Sequence, residues 1–408
     1  MNTSTRDHTT IGSPQLALLW FGAAISLAEI LTGALYRGMG TGGALAAIIG
    51  GHLLGGIAFF AVGWISWKEH KDAIAIADST LGRPGVTSFA LVNALQLIGW
   101  TAVMIIAGAE GLVAASSAAG MTISPPASRL LIGALLLIWT AAGRKGIRGI
   151  NMIAVALLLV LSLLWAIKLI TLPAGEISAI SKAREPDSIA FGNMLELAVL
   201  MPLSWLPLIG DYTRSAKHGR KGVSAAAVGY FLGSCGMYLL GLLSVTKLPG
   251  AGAVESMLAV GMGAGAAFVV LLSTVTTGFL DVHSAGVSLR LAFPAIGRHV
   301  APLLVGFAGL MLAMLLPGGW YESFLYLLGS LFAPFFGVIF CRRLFFAKAP
   351  LSILLIILGF AAWAAGVGAY YILLPKGTPL GVSLPAMLIS MVVYFLFMKG
   401  AYVWNSKA

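Results

Sequence analysis

The stretch LALLWFGAAISLAEILTGALY, Leu16 to Tyr36, decides how this chain is read. It is long enough to cross a bilayer as a helix, which takes about 20 apolar residues for a hydrocarbon core of about 30 Å. Yet Glu29 stands in its middle. An ionisable group at that depth costs at least about 2.5–3.5 kcal/mol, so it normally faces an interior occupied by water or solute and has a function there. Ser26 precedes it by one turn, and Thr32 and Gly33 follow. The segment therefore reads as an interrupted span that contributes to a transport site.

The remaining sequence agrees. Of the 408 residues 59% are hydrophobic and only 10% charged, with a mean hydropathy of +0.97. That is too little polar surface to cover a soluble globule. The runs are long and helical rather than short and alternating, which excludes an outer-membrane barrel. The expectation is an all-α integral membrane protein of twelve transmembrane helices: Leu16–Tyr36, Gly42–Trp67, Ser88–Ala114, Leu130–Ala142, Ile150–Ile170, Phe191–Ile209, Val223–Val245, Met257–Leu280, Val300–Leu316, Ser323–Cys341, Leu351–Tyr371 and Leu384–Phe397. The opening Met1–Pro14 is polar and lacks the basic region of a secretory signal. With the N-terminus inside, Lys68, Arg83, Arg144, Lys145, Arg214, Lys221, Arg343 and most other basic residues fall in cytoplasmic connections. Topology thus accounts for the net charge of +11, and no nucleic-acid partner is needed. Cys235 and Cys341 lie in helices with no disulfide or metal-ligand spacing and read as packing residues.

The sixth span contains Pro202 and Pro207 around Ser204 and Trp205. Proline inside a helix removes a hydrogen bond and clashes with the preceding turn, so two of them are expected to unwind or sharply kink this span. Non-helical backbone in a membrane belongs beside a cavity or inside protein. One interrupted span in each half is the sequence pointer to an inverted-repeat transporter. The expected organisation is a transport core over residues 1–346, built from two five-helix repeats at about 15–171 and 190–346, followed by two peripheral C-terminal helices in 347–408.

Two further spans carry polar faces. In the eighth, Ser273, Thr276 and Thr277 share one helical face. With carbonyls released around Gly22 and Ile25 they offer a cation several oxygens; alternatively, the hydroxyls bond back to their own helix or to a neighbour. In the third, Gln96 and Trp100 are four apart, a stacking plane beside a donor and acceptor that suits a nitrogen heterocycle or, equally, a packing contact. His52 and the Gly50-Gly51 pair read as close-packing features of span 2, with a polar helix-pair role for His52 as the alternative, Glu196 as a helix-end or interhelical partner, and Asp211 with Arg214 as a structural or gating ion pair.

The runs Glu29 to Leu35, Gln96 to Met104, Ser204 to Arg214 and Phe279 to Gly286 resemble the nucleobase:cation symporter-1 family, and within it the bacterial branch assigned to hydroxymethylpyrimidine, the pyrimidine precursor of thiamine. The resemblance covers helices 1 to 10. It implies the 5+5 inverted-repeat amino-acid/cation symporter fold, cation symport by alternating access, and a bacterial cytoplasmic (inner) membrane location with both termini cytoplasmic. It further implies a Na⁺ site at Gly22, Ile25, Ser273, Thr276 and Thr277, a stacking aromatic at Trp100 and a polar contact at Ser204. Pro202 replaces the helix 6 aromatic of cytosine-type members, and Gly278, Phe279 and Leu280 replace their helix 8 amides, so the cargo should differ from cytosine.

Those losses leave Glu29, first, and Asp281 to read the ligand's polar edge. A neutral carboxyl, the form that low dielectric favours, offers an aminopyrimidine one acceptor and one donor. The expected substrate residues are therefore Ser26, Glu29, Gln96, Trp100, Ser204, Trp205 and Asp281. Asp281 lies past the end of the eighth span as drawn, where His283 or a cytoplasmic Arg is an alternative partner. Cytosine, a purine or another nucleobase is the alternative cargo, H⁺ the alternative coupling ion, and an ion channel the alternative class, although pore-loop and charged-ring signals are absent. No organic cofactor is expected, and the lack of HExxH, GxSxG or clustered-aspartate motifs argues against an enzyme.

Overall fold

The computed structural model describes residues 10–142, 147–173, 191–317 and 319–405. The basic positions Arg144 and Lys145 lie outside them, as does the side chain of Thr276. Within the described residues the chain forms α1 (Ser13–Ala24), α2 (Leu27–Ala34), α3 (Thr41–Glu69), α4 (Asp78–Ala118), α5 (Pro125–Ala142), α6 (Ile147–Thr171), α7 (Phe191–Ser204) and α8 (Leu206–Thr213). These are followed by α9 (Gly219–Lys247), α10 (Ala253–Ala259), α11 (Ala264–Ala292), α12 (Val300–Leu315), α13 (Tyr321–Phe345), α14 (Ile353–Leu373) and α15 (Ser383–Asn405).

Among the described residues ten helical spans are long and apolar enough to cross a membrane, and α1 with α2, bent by 57°, makes an eleventh. The twelfth expected span corresponds to α12, which has 16 residues, short of the roughly 20 that a bilayer takes. Several expected boundaries move. The third span begins at Asp78 rather than Ser88 and bends at Gly82, whose φ of +62° only glycine adopts without strain. The eighth begins at Ala264 rather than Met257, which falls in the separate short helix α10, and runs on to Ala292, because nothing between Leu280 and Ala292 breaks a helix.

Packing places α1, α2, α7, α8, α4 and α11 around the molecular centre. α3 lies close on α7, where a Cβ on Gly51 or Gly55 would meet Ala198 or Pro202. α2 crosses α9 just as closely: a Cβ on Gly33 would overlap the Tyr238 backbone, and one on Gly241 the Ile30 carbonyl. Small residues at such crossings let backbones approach where there is no hydrophobic force between helices in lipid. Glu196 of α7 is buried but fully engaged. It accepts from Tyr370 Oη at 2.9 Å, the Val382 and Ser383 amides at 2.7 and 2.9 Å, and Ser383 Oγ at 2.6 Å. It thereby caps the amino end of α15, where unpaired amides and the helix dipole favour an anion, and it ties the C-terminal helices to the core.

Candidate functional site

The first span breaks at Ile25 and Ser26. Ser26 is extended (φ −146°, ψ 156°), and its hydroxyl accepts from the Glu29 amide at 3.4 Å to start α2. Gly22 O accepts from Ile25 N at 3.2 Å. The Leu27 amide, which the break leaves without an intrahelical acceptor, donates to Ser273 Oγ of α11 at 2.8 Å. The side chain singled out as a cation ligand is thus stitched to the break itself.

The sixth span breaks far less than its two prolines predict. A single residue, Trp205 (φ −92°, ψ −3°), separates α7 from α8, and together they form one continuous span. The reason is local. Pro207 falls in the first turn of α8, where a missing N–H costs nothing. Ser204 Oγ donates to Met201 O at 2.7 Å, and Gln96 Nε2 supplies the Ser204 carbonyl at 2.8 Å.

Where the two breaks face each other there is a cavity lined by Ser26, Ala28 and Glu29 of the first span, Leu97 and Trp100 of α4, Met201, Ser204 and Trp205 of the sixth span, and Thr277 and Asp281 of α11. Its volume is about 20 Å³, room for a water. A ring therefore needs these helices to separate. Trp100 stands edge-on to Tyr321 and Phe324, with centroids 6.0 and 5.3 Å apart, while Trp205 is held edge-on by Trp20 at 5.6 Å. On the side where α2 ends and α13 begins, Tyr321 closes over the first span: its hydroxyl lies 2.5 Å from Thr32 Oγ1 and donates to Ala28 O at 3.2 Å.

The expected substrate residues divide. Ser26, Glu29, Trp100, Ser204, Trp205 and Asp281 all line the cavity. Gln96 does not: its amide nitrogen is shared between Ser204 O and Asn93 Oδ1, at 2.8 and 2.9 Å, and Asn93 Nδ2 donates in turn to Ser288 Oγ at 2.7 Å. Asp281 is mid-span rather than at a helix end and is 4% exposed, and its Oδ2 has no hydrogen-bond partner. His283 stacks against Phe279. Glu29, 2% exposed, has both oxygens engaged: Oε1 accepts from Tyr230 Oη at 2.8 Å, and Oε2 lies 2.7 Å from Ser234 Oγ. Sequence reasoning missed Tyr230 and Ser234, and of its two readings of His52, which lies 2.6 Å from Ser234 Oγ, the structure has the polar helix-pair contact beside the packing. A histidine inside an apolar span was the available signal. Thr277 lines the cavity one turn beyond Ser273.

The chain matches the family described as permease for cytosine/purines, uracil, thiamine, allantoin over residues 4–359. It belongs to the nucleobase:cation symporter family. This family consists of membrane transporters and not enzymes. No curated protein sequence matches the chain significantly. Among solved structures, the nucleobase-cation-symport-1 transporter Mhp1 in a closed conformation with bromovinylhydantoin bound is 17% identical, covers 98% of this chain and 95% of its own, and superposes with a TM-score of 0.72. Mhp1 in an inward-facing conformation gives 18% identity, 98% and 92% coverage and a TM-score of 0.75. A Na⁺-coupled sialic acid symporter in a substrate-bound outward-open state shares the fold more distantly, at 13% identity, 94% and 96% coverage and a TM-score of 0.53. The symporter is therefore all-helical, with the transporter fold these proteins share.

Proposed function

We propose that this symporter imports a pyrimidine-type heterocycle, hydroxymethylpyrimidine first, across a bacterial cytoplasmic membrane, driven by a cation and by alternating exposure of the central cavity. The observation that carries the reading is the unpartnered Asp281 Oδ2 in a cavity flanked by two indoles, Trp100 and Trp205. A buried carboxyl oxygen without a partner costs about 1–3 kcal/mol or more, and an aminopyrimidine offers it the exocyclic amine while its ring packs between aromatic faces. In this reading Asp281 rather than Glu29 reads the ligand's edge, because Glu29 is engaged by α9. Ser26, Ser204 and Thr277 complete the polar lining.

Gly22 and Ile25 carbonyls with the hydroxyls of Ser273, Thr276 and Thr277 are the candidate Na⁺ ligands. Support comes from the Leu27 to Ser273 bond, which brings α11 onto the break in the first span. A cation seated there would hold α11 against α1 and α2 and favour the cargo-binding arrangement, which is how symport couples two ligands. The deciding experiment is thermal stabilisation and radiolabelled uptake with a panel of pyrimidines, purines and hydantoins, with and without Na⁺. Hydroxymethylpyrimidine alone should stabilise and be accumulated. Preference for a purine or hydantoin would refute the cargo assignment, and non-saturating flux would refute a carrier.

A further inference from the structure

We propose that Glu29, Ser234 and His52 form a hydrogen-bonded chain holding one exchangeable proton beside the broken first span, and that this proton moves with the cargo. The proposal adds a second cation site to the import reading, on which it rests for its driving role.

The argument is a count of hydrogens. His52 Nδ1 lies 2.8 Å from the Ile48 carbonyl, which only accepts, so Nδ1 carries a hydrogen. His52 Nε2 lies 2.6 Å from Ser234 Oγ, and Ser234 Oγ lies 2.7 Å from Glu29 Oε2. A serine hydroxyl has one hydrogen to give. If Glu29 were ionised and His52 neutral, that hydrogen would serve one neighbour and leave lone pair against lone pair at the other. Both contacts are satisfied only with one more proton. It sits on Oε2, which then donates to Ser234 while Ser234 donates to Nε2, or on Nε2, with both donations reversed. The two forms interconvert when Oε2 passes its proton to Ser234 Oγ and Ser234 passes its own to Nε2, with no change in net charge. Releasing the proton from the chain leaves a net charge of −1 and one contact without a hydrogen.

Among the described residues no cation takes over this compensation, and Asp281, which lines the same cavity as Glu29, brings a second carboxyl. α9 presents Tyr230, which donates to Glu29 Oε1, Cys235, and Tyr238, edge-on to the His52 ring at 4.6 Å. Tyr36 packs on Tyr238 at 5.8 Å, and Tyr321 of α13 is bonded to Thr32. Glu196 of α7 is turned to α15. Among the described residues the ion pairs are Glu69 with Lys71 and Arg343, and Asp72 with Arg214, so none reaches Glu29. Loss of the proton thus leaves an uncompensated buried charge, which is strongly unfavourable. The chain joins α2, α9 and α3, and its carboxyl sits in the first turn of α2, one turn from Ser26 at the cavity. Deprotonation would therefore loosen α2 from α9 and α3 at the point where the cavity opens.

The test uses the full chain in liposomes with equal Na⁺ on both sides and an acid-outside pH gradient, radiolabelled hydroxymethylpyrimidine as cargo and a lumenal pH dye. Wild type should accumulate cargo, up to about tenfold per pH unit at one proton per cargo, with proton influx. In His52→Gln, counterflow exchange of cargo, which needs no gradient, should persist, while accumulation falls to the exchange level. Ser234→Ala, which removes only a hydroxyl, should do the same and carries the test if His52→Gln does not fold. Wild-type import without proton influx, or undiminished pH-driven accumulation in these variants, would overturn the proposal. If no heterocycle exchanges, the cargo reading has failed instead. The proton site is then read from infrared pH titration of the unliganded protein. A carboxyl signal lost in Glu29→Gln and displaced in His52→Gln sustains it, and spectra unaffected by both substitutions refute it.

Discussion

At Asp281 the proposed recognition rests on one oxygen. Oδ2 is buried and without a partner, and removing that acceptor strands the bound amine, at about 1–3 kcal/mol. Asp281→Leu should therefore weaken cargo binding by about 5- to 150-fold, read as the half-saturation concentration for uptake. Trp100→Ala should lose less, roughly 3- to 10-fold, since an aromatic pair contributes about 0.5–1.5 kcal/mol beyond its buried area. An Asp281→Leu variant with unaltered affinity would remove this residue from recognition. Gln96 makes the opposite case. Its amide feeds the Ser204 carbonyl at the break in the sixth span, and Gln96→Leu leaves that acceptor short of a donor. The expected signature is a lower melting temperature, from about 1–3 kcal/mol of lost stability, with cargo selectivity retained.

Between elements, the broken first span is held in place from outside itself. The Leu27 amide depends on Ser273 Oγ, so Ser273→Ala strands a buried donor and should cost about 1–3 kcal/mol in unfolding free energy. The same variant should lose any Na⁺-dependent stabilisation, because it removes both a ligand and the contact that presents the Gly22 and Ile25 carbonyls. A melting temperature that still rises with Na⁺ would place the cation elsewhere. The α2–α9 crossing sets a steric limit nearby. Gly33→Ala pushes a methyl into the Tyr238 backbone and should destabilise by about 1–3 kcal/mol, measurable as early thermal aggregation in detergent.

Over the whole molecule, the end of the fold away from Tyr321 is latched by ion pairs that join distant segments. Arg214, expected to pair with Asp211, interacts with it electrostatically but makes its close ion pair with Asp72 in the connection between α3 and α4. Asp72 belongs to a segment 142 residues away in sequence, which periodicity along the sixth span gave no means of anticipating. Arg343 of α13 bridges to Glu69 and also donates to Ser79 Oγ at 2.7 Å and Ile76 O at 3.1 Å. The first pair is more exposed, with side chains 41% and 38% accessible against 21% and 23% for the second. Exposed pairs contribute about 0–1 kcal/mol, so Arg343→Ala should lower the melting temperature distinctly more than Arg214→Ala. Equal losses would show that burial does not set their strength.

From its residues alone the chain declared itself a membrane protein, placed a carboxyl inside the bilayer and marked the first span as interrupted, since hydropathy and span length are local quantities that follow from composition along one helix. The family resemblance was carried by four short runs in the same way. Tertiary structure alone decided which partners these groups take. Glu29 meets Tyr230 and Ser234 across 201 and 205 residues of sequence, Gln96 spends its amide on a backbone carbonyl 108 residues away, and Asp281 is left without a partner at Oδ2. Helical periodicity fixes the face a side chain occupies but not the helix opposite it. That neighbour is set by how small residues such as Gly33, Gly51 and Gly241 let particular helices approach, and so by packing of the whole bundle.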